Sequence, residues 1–381
     1  MAALLFAAGL TRTALHAAQD ASTPPTSLTH ALPDNPTGKD IYTFACSTCH
    51  GVDGTGSPQS VVGFALPLPN GHDFPDFTDC PTNTVEPFAD WVAVATRGGP
   101  IRGLDRHMPA FGDALSQEQI GMAVQHLWSF CDDSSWPRGD LNLPRAIFTE
   151  KAFPENETVL TTSLGGSDAR AISHKLVYEH RIGSRMWYEV VLPFGAQQAA
   201  PGGAWNRSLG DIALALRRTL YANTDRGTIV AAGGELVLPT GKESEGLGEG
   251  RRVYEPLALF GQMLRANGFL QMYGGYEFSS DTKKGPHESF LRSALGYTVA
   301  EDHGFGRTWT PMTEVLFAKE RGGPNEWDMV PQMQVSLSKL QHVLLDVGVR
   351  LPLSQRETRK PQVIAYVLWD WFDGGFFQFW K

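Results

Sequence analysis

From residue 141 onward the chain alternates apolar and polar side chains with a period of two, and this restricts its fold more than any other feature. In SRMWYEVVLPF (184–194), Met186, Tyr188, Val190, Leu192 and Phe194 share one face, while Trp187, Glu189 and Val191 share the other. Ile212, Leu214, Leu216 and Leu220 oppose Ala213, Ala215, Arg217 and Thr219 in the same manner, because successive strand side chains point to opposite faces. Twelve such segments can be marked, centred near residues 160, 176, 190, 215, 233, 259, 273, 295, 314, 334, 348 and 367. Each runs for about ten residues, against about five to six for an ordinary strand. That is the length and pattern of a strand crossing a membrane in a closed barrel, and an even number suits a single-chain barrel. No apolar run reaches the ~18 residues that a transmembrane helix needs. The expected fold class is therefore multidomain: a small all-α domain followed by an antiparallel transmembrane β-barrel of about 12 strands.

The connections alternate too. Short turns at 182–184, 222–227, 265–268 and 338–341 interleave with longer polar loops at 196–209, 240–251, 279–288, 320–327 and 354–362. The connections at 165–169 and 300–307 depart from their classes. Outer-membrane barrels keep short turns inside and long loops outside, so both barrel ends and the preceding domain are expected on the periplasmic side. The closing residues Phe376, Phe377, Phe379 and Trp380 supply terminal aromatic side chains. Glu179, Glu189, Glu235, Glu277 and Glu314, with Lys175, Arg217, Arg292 and Arg350, fall on the lumen face, where such groups pair and hydrate an interior.

All four cysteines precede residue 132. Cys46-Ser47-Thr48-Cys49-His50 is the C-x-x-C-H pattern of covalent haem attachment. Two thiols three residues apart on one helical turn reach the two vinyl groups of a haem (heme c), and the adjoining imidazole points at the iron. Cys80 and Cys131 form an even remainder, which in an oxidising compartment is read as a disulfide. The first 18 residues are an apolar run ending in small side chains, like a signal peptide, although no Lys or Arg precedes the run. The expected organisation is a signal-peptide-like segment at 1–18, a linker at 19–37, a helical domain at 38–140, a second linker at 141–156 and a barrel at 157–375.

The run Gly38-Lys39-Asp40-Ile41-Tyr42 before the motif, Gly51 after it, and Met108-Pro109 in a glycine-rich loop resemble class I cytochromes c. That resemblance implies one covalent haem with His50 as proximal and Met108 as distal ligand, and a last helix near 116–131 packing on the first. His107, Met122, His126 and His72 are the other candidates for the sixth position. Methionine ligation favours an electron carrier of raised potential, and a six-coordinate iron argues against peroxidase chemistry. Leu209-Gly210-Asp211 and Leu238-Pro239-Thr240-Gly241 resemble a family of barrel transporters linked to aromatic-compound degradation. The order of haem motif and barrel resembles bacterial cytochrome–porin fusions.

Charge divides the chain in the same place. Residues 19–140 hold 15 acidic and 5 basic side chains, whereas residues 141–381 hold 26 of each. Neither part is basic, so nucleic acid is not expected as a partner. The expected function is electron transfer at the outer membrane, with the barrel as anchor in lipid and the acidic domain docking basic periplasmic redox proteins. Two other readings stand beside it: an oxidoreductase drawing electrons from an extracellular donor such as Fe(II), and a transport barrel gated or sensed by its haem domain. An electron carrier is expected rather than a catalytic enzyme.

Overall fold

The computed structural model describes residues 32–56, 74–165, 170–245, 248–301 and 306–370. The N-terminal domain is built from α1 (Gly38–Ala45), α2 (Ser47–His50), α3 (Cys80–Asn83), α4 (Phe88–Arg97) and α5 (Gln117–Trp128). α1 begins with a reciprocal cap, in which the Thr37 hydroxyl accepts from the Asp40 amide and the Asp40 carboxylate accepts from the Thr37 amide. Ser116 and Gln119 start α5 in the same way. α1 and α5 cross at Gly38, where a Cβ would stand 2.1 Å from the Met122 carbonyl oxygen, so only glycine permits that approach. Tyr42, Ile120, Val124, Leu127 and Trp128 fill the core behind the crossing.

Twelve long antiparallel strands follow and close on themselves. In chain order they are β1 (Glu157–Gly165), β2 (Ala171–Ile182), β3 (Met186–Gln198), β5 (Ile212–Asn223), β6 (Thr228–Leu238), β7 (Val253–Met263), β8 (Gly268–Ser279), β9 (Glu288–Tyr297), β11 (Thr308–Glu320), β12 (Asn325–Ser336), β13 (Val343–Pro352) and β14 (Gln362–Asp370). Two short strands extend the wall: β4 (Trp205–Leu209) pairs with β3, and β10 (Val299–Ala300) pairs with β11. The seam is β1 against β14, with Val159 opposite Leu368, and among the described residues each of the twelve long strands is paired on both sides. Alternation sets the two faces. Leu160, Leu214, Leu216, Leu291, Leu295 and Val347 are exposed on the outside, while Val159, Ala213, Ala215, Ala294 and Asp346 are buried within.

The structure departs from the sequence reading in the connections. The loop expected at 320–327 is only the turn 321–324, because pairing persists to Lys319 opposite Asn325. The loop expected at 196–209 is partly strand, since β4 folds back on β3 from Trp205 opposite Gln198. The terminal aromatic residues 376–380 and the signal-peptide-like segment lie outside the described residues.

The larger departure is residues 141–156. They do not form a linker between two bodies; they run inside the barrel. Leu141, Ala152 and Phe153 pack against Trp187, Ile229 and Tyr273 of the wall. Leu143 and Ala146 pack on Phe269, Ala294 and Met312, and Ile147 packs on Val330, Ile364 and Tyr366. Asn142 Oδ1 accepts from Lys151 Nζ at 3.2 Å, so the segment enters, turns near Phe148 and returns to begin β1. It is a plug.

Candidate functional site

The haem-attachment motif sits where α1 gives way to α2. The Tyr42 hydroxyl donates to the Gly51 carbonyl at 2.8 Å, tying the end of the motif back onto the first helix. Gly51 has a φ of 75°, which turns the chain sharply away after His50. The His50 ring lies 4.8 Å from Phe77 and 6.1 Å from Phe74, and Phe77 is held in turn 5.5 Å from Trp91. Its Nδ1 is buried and has no hydrogen-bond partner among the described residues. Burial pushes the imidazole down to about 4, so the ring is neutral and keeps a lone pair for a metal. Burial likewise raises Cys46, to about 11, and Cys49. Both thiols are unpaired, so they are available for thioether bonds. A neutral buried imidazole with an orphan nitrogen, two free thiols on its turn and an aromatic wall fit a haem group.

Met108 lies in the segment that follows α4. Its carbonyl accepts from the Gly99 amide at 3.0 Å, and Phe111 and Gly112 donate to Ala95 and Thr96 of α4, so backbone bonds hold this loop in place. Asp90 and Arg102 pin its start at 2.6 Å. The other candidates occupy different places. The His107 ring is 2.7 Å from Asp105 Oδ1, on the surface. Met122 is exposed on α5, and His126 packs edge-on with Tyr42 and Phe130 at the α1–α5 crossing, its Cβ 3.4 Å from where a Gly38 Cβ would stand. His72 lies outside the described residues.

Cys80 and Cys131 are joined by a disulfide, linking α3 to the chain after α5. Arg138 reinforces the same corner, donating to the Trp128 and Cys131 carbonyls at 3.0 and 2.8 Å and lying 5.0 Å over the Trp128 ring. This rim docks on the short-turn end of the barrel. Arg185 donates to the Ser135 and Ser134 carbonyls, Arg181 lies 4.5 Å over Trp136, and Glu86 meets His342 at 2.9 Å.

Within the lumen, several of the charges foreseen on the wall meet residues of the plug, while others pair across the wall. Arg145 contacts Glu157 and Glu179. Arg217 joins Glu189 at 2.8 Å to Glu150 of the plug at 2.5 Å. Glu314 accepts from the Thr149 amide and hydroxyl at 2.6 and 2.7 Å. The Arg350 guanidinium lies 5.5 Å over the Phe148 ring. None of these plug residues entered the sequence reading. The signals were there: inward glycines Gly261 and Gly348, where a Cβ would stand 3.0 Å from Leu143 and 2.7 Å from Ile147, leave room for a second chain.

Residues 33–127 match the family described as cytochrome C oxidase, cbb3-type, subunit III. No curated protein matches the chain in sequence. Among solved structures, the barrel is similar to the KdgM porin at 11% identity and a TM-score of 0.38, covering 56% of this chain and 98% of that one. It is similar to the COG4313 outer membrane channel from Pseudomonas putida F1 at 13% identity and a TM-score of 0.42, covering 60% and 99%. The NanC porin aligns at 8% identity and a TM-score of 0.39, over 56% and 98%. The chain joins a cytochrome-type domain to a closed, antiparallel barrel of twelve long strands.

Proposed function

We propose that this protein is an outer-membrane electron carrier: a c-type cytochrome domain anchored by a membrane-spanning barrel and exchanging electrons with periplasmic redox proteins. One haem would be held by thioether bonds to Cys46 and Cys49, with His50 and Met108 as axial ligands. Bound there, the group supplies one-electron chemistry, with a potential raised by the methionine. The chain's residues do the rest. Phe74, Phe77 and Trp91 exclude water from His50, and Tyr42 fixes the turn that presents it.

The observation that carries the anchor reading is the plug. A lumen filled by the chain's own residues 141–156 is a poor pore, but it is a firm mount for the domain immediately before it. The exposed leucines and valines of the outer face suit the ~25 Å apolar band of a bilayer. The domain sits on the short-turn end, which in outer-membrane barrels faces the periplasm.

The test uses the holoprotein in liposomes. It is expected to take electrons from a soluble donor offered on the domain side and to ignore Fe(II) confined to the opposite side. Reduction by Fe(II) on the far side would overturn the periplasmic-carrier reading. A protein from outer-membrane fractions without covalent haem would overturn the redox reading altogether.

A further inference from the structure

The lumen wall pairs like charges. Glu179 lies directly opposite Glu189 across β2 and β3, and Glu235 directly opposite Glu255 across β6 and β7. Glu277 faces Glu288 across β8 and β9, nearer the long-loop mouth. Carboxylates directly opposite one another destabilise a sheet, so three such pairs on the inner face call for cations between them. At the first pair the plug supplies one. The Arg145 guanidinium contacts both Glu157 and Glu179, and Lys151 Nζ reaches Glu157 at 2.9 Å. Independently, Asp346 on β13 is fully buried in the same lumen, and neither of its carboxylate oxygens has a hydrogen-bond partner among the described residues.

We propose that the barrel is a cation pathway held shut by its own residues 141–156, in which the Arg145 and Lys151 side chains occupy places that permeant cations take when the plug withdraws. The solute class is set by those stand-ins: small cations, including organic ammonium and guanidinium compounds. Anions are disfavoured, because on the wall left behind the carboxylates outnumber Lys175, Arg217, Arg292 and Arg350, even with Arg217 meeting Glu189 at 2.8 Å. The plug suits withdrawal. It enters and returns at one end of the barrel, so it leaves without threading. Much of its grip is ionic and hydrogen-bonded, as at Glu150 with Arg217 and Thr149 with Glu314. The cytochrome domain joins it directly at residue 140, so displacement of that domain would pull on it. The proposal rests on the membrane reading of the barrel and not on the haem.

The experiment is conductance in planar bilayers, using the full chain and a variant whose residues 142–155 are replaced by a Gly-Ser segment of equal length. The unmodified protein is expected to be silent. The variant should show open-channel steps, with a reversal potential shifted toward that of potassium in a KCl gradient. Agmatine, which carries both an ammonium and a guanidinium, should reduce that potassium current. Chloride preference, absence of selectivity, or a silent variant whose unheated band still migrates as a closed barrel would each overturn the proposal. If the replacement abolishes that band, the paired substitution Arg145→Gln with Glu179→Gln, which removes one charge of each sign, takes its place. Cation-selective steps from the folded pair variant would support the proposal, and silence would overturn it. Ion current and haem absorption are separate readouts, so failure here leaves the electron-carrier reading standing, and loss of haem leaves the pathway standing.

Discussion

Single side chains decide how the N-terminal domain holds its site. Gly38→Ala would force a methyl group against the Met122 carbonyl, and overpacking of this kind costs about 3 kcal/mol. Urea melts of the full chain should show the helical domain unfolding earlier while the barrel transition stays in place. Met108→Ala is expected to remove the near-infrared sulfur-to-iron band of the holoprotein, and His107→Ala to keep it. A band that persists in Met108→Ala would move the sixth ligand to Met122, which the structure leaves exposed on α5. Asp140 gives a pH signature. Burial raises its carboxyl above the usual range, although its Oδ1 accepts from the Phe88 amide. The folded state therefore binds that proton more tightly than the unfolded chain, and stability falls as pH rises through the window above 3.8. Asp140→Asn keeps an acceptor for Phe88 and removes the penalty. Its thermal midpoint should exceed that of the unmodified protein at pH 7, and the gap should close below pH 3.8; a gap independent of pH would show that the carboxyl does not titrate on unfolding.

At the scale of elements, the first and last helices and the strands were legible because each follows a local rule, whereas α3 and α4 were not read. Reciprocal caps at Thr37–Asp40 and Ser116–Gln119 start those two helices without tertiary information, and period-two alternation marked all twelve long strands. The plug was not legible. Leu143, Ala146 and Ile147 stand at i, i+3 and i+4 in a segment that forms no helix there, so their spacing does not tell that each is buried against a curved wall. Only the surplus of wall carboxylates and the inward glycines hinted at it. Gly348→Val should displace Ile147 and loosen the plug, which hydrogen exchange at the Ile147 and Phe148 amides would report as faster exchange than in the unmodified protein. The disulfide is a second long-range element. Cys80 and Cys131 are 51 residues apart, and in the chain-entropy view a bridge closing a loop of that size stabilises by about 4 kcal/mol. Reduction should lower the unfolding temperature of the helical domain without changing the haem spectrum; an unchanged midpoint would make the bridge dispensable.

For the whole molecule, charge is segregated along the chain. The acidic excess lies in residues 19–140, whereas the formal charges of residues 141–381 balance. Electron transfer to a basic soluble partner should slow steeply as the Debye length shrinks from ~30 Å at 0.01 M salt to ~8 Å at 0.15 M. Stopped-flow rates with one basic and one acidic partner provide the check, and a flat profile with the basic partner would place the contact away from the acidic domain.

The closed seam has a consequence for biogenesis. Glu157 is both the first residue of β1, opposite Asp370 of β14, and the carboxylate that receives Arg145 and Lys151. Seating residues 141–156 therefore eases the last pairing, because it brings the Arg145 and Lys151 cations to a carboxylate that stands in the closing strand. A barrel closing without that segment would carry Glu157 at its seam without those counter-charges and is expected to close more slowly.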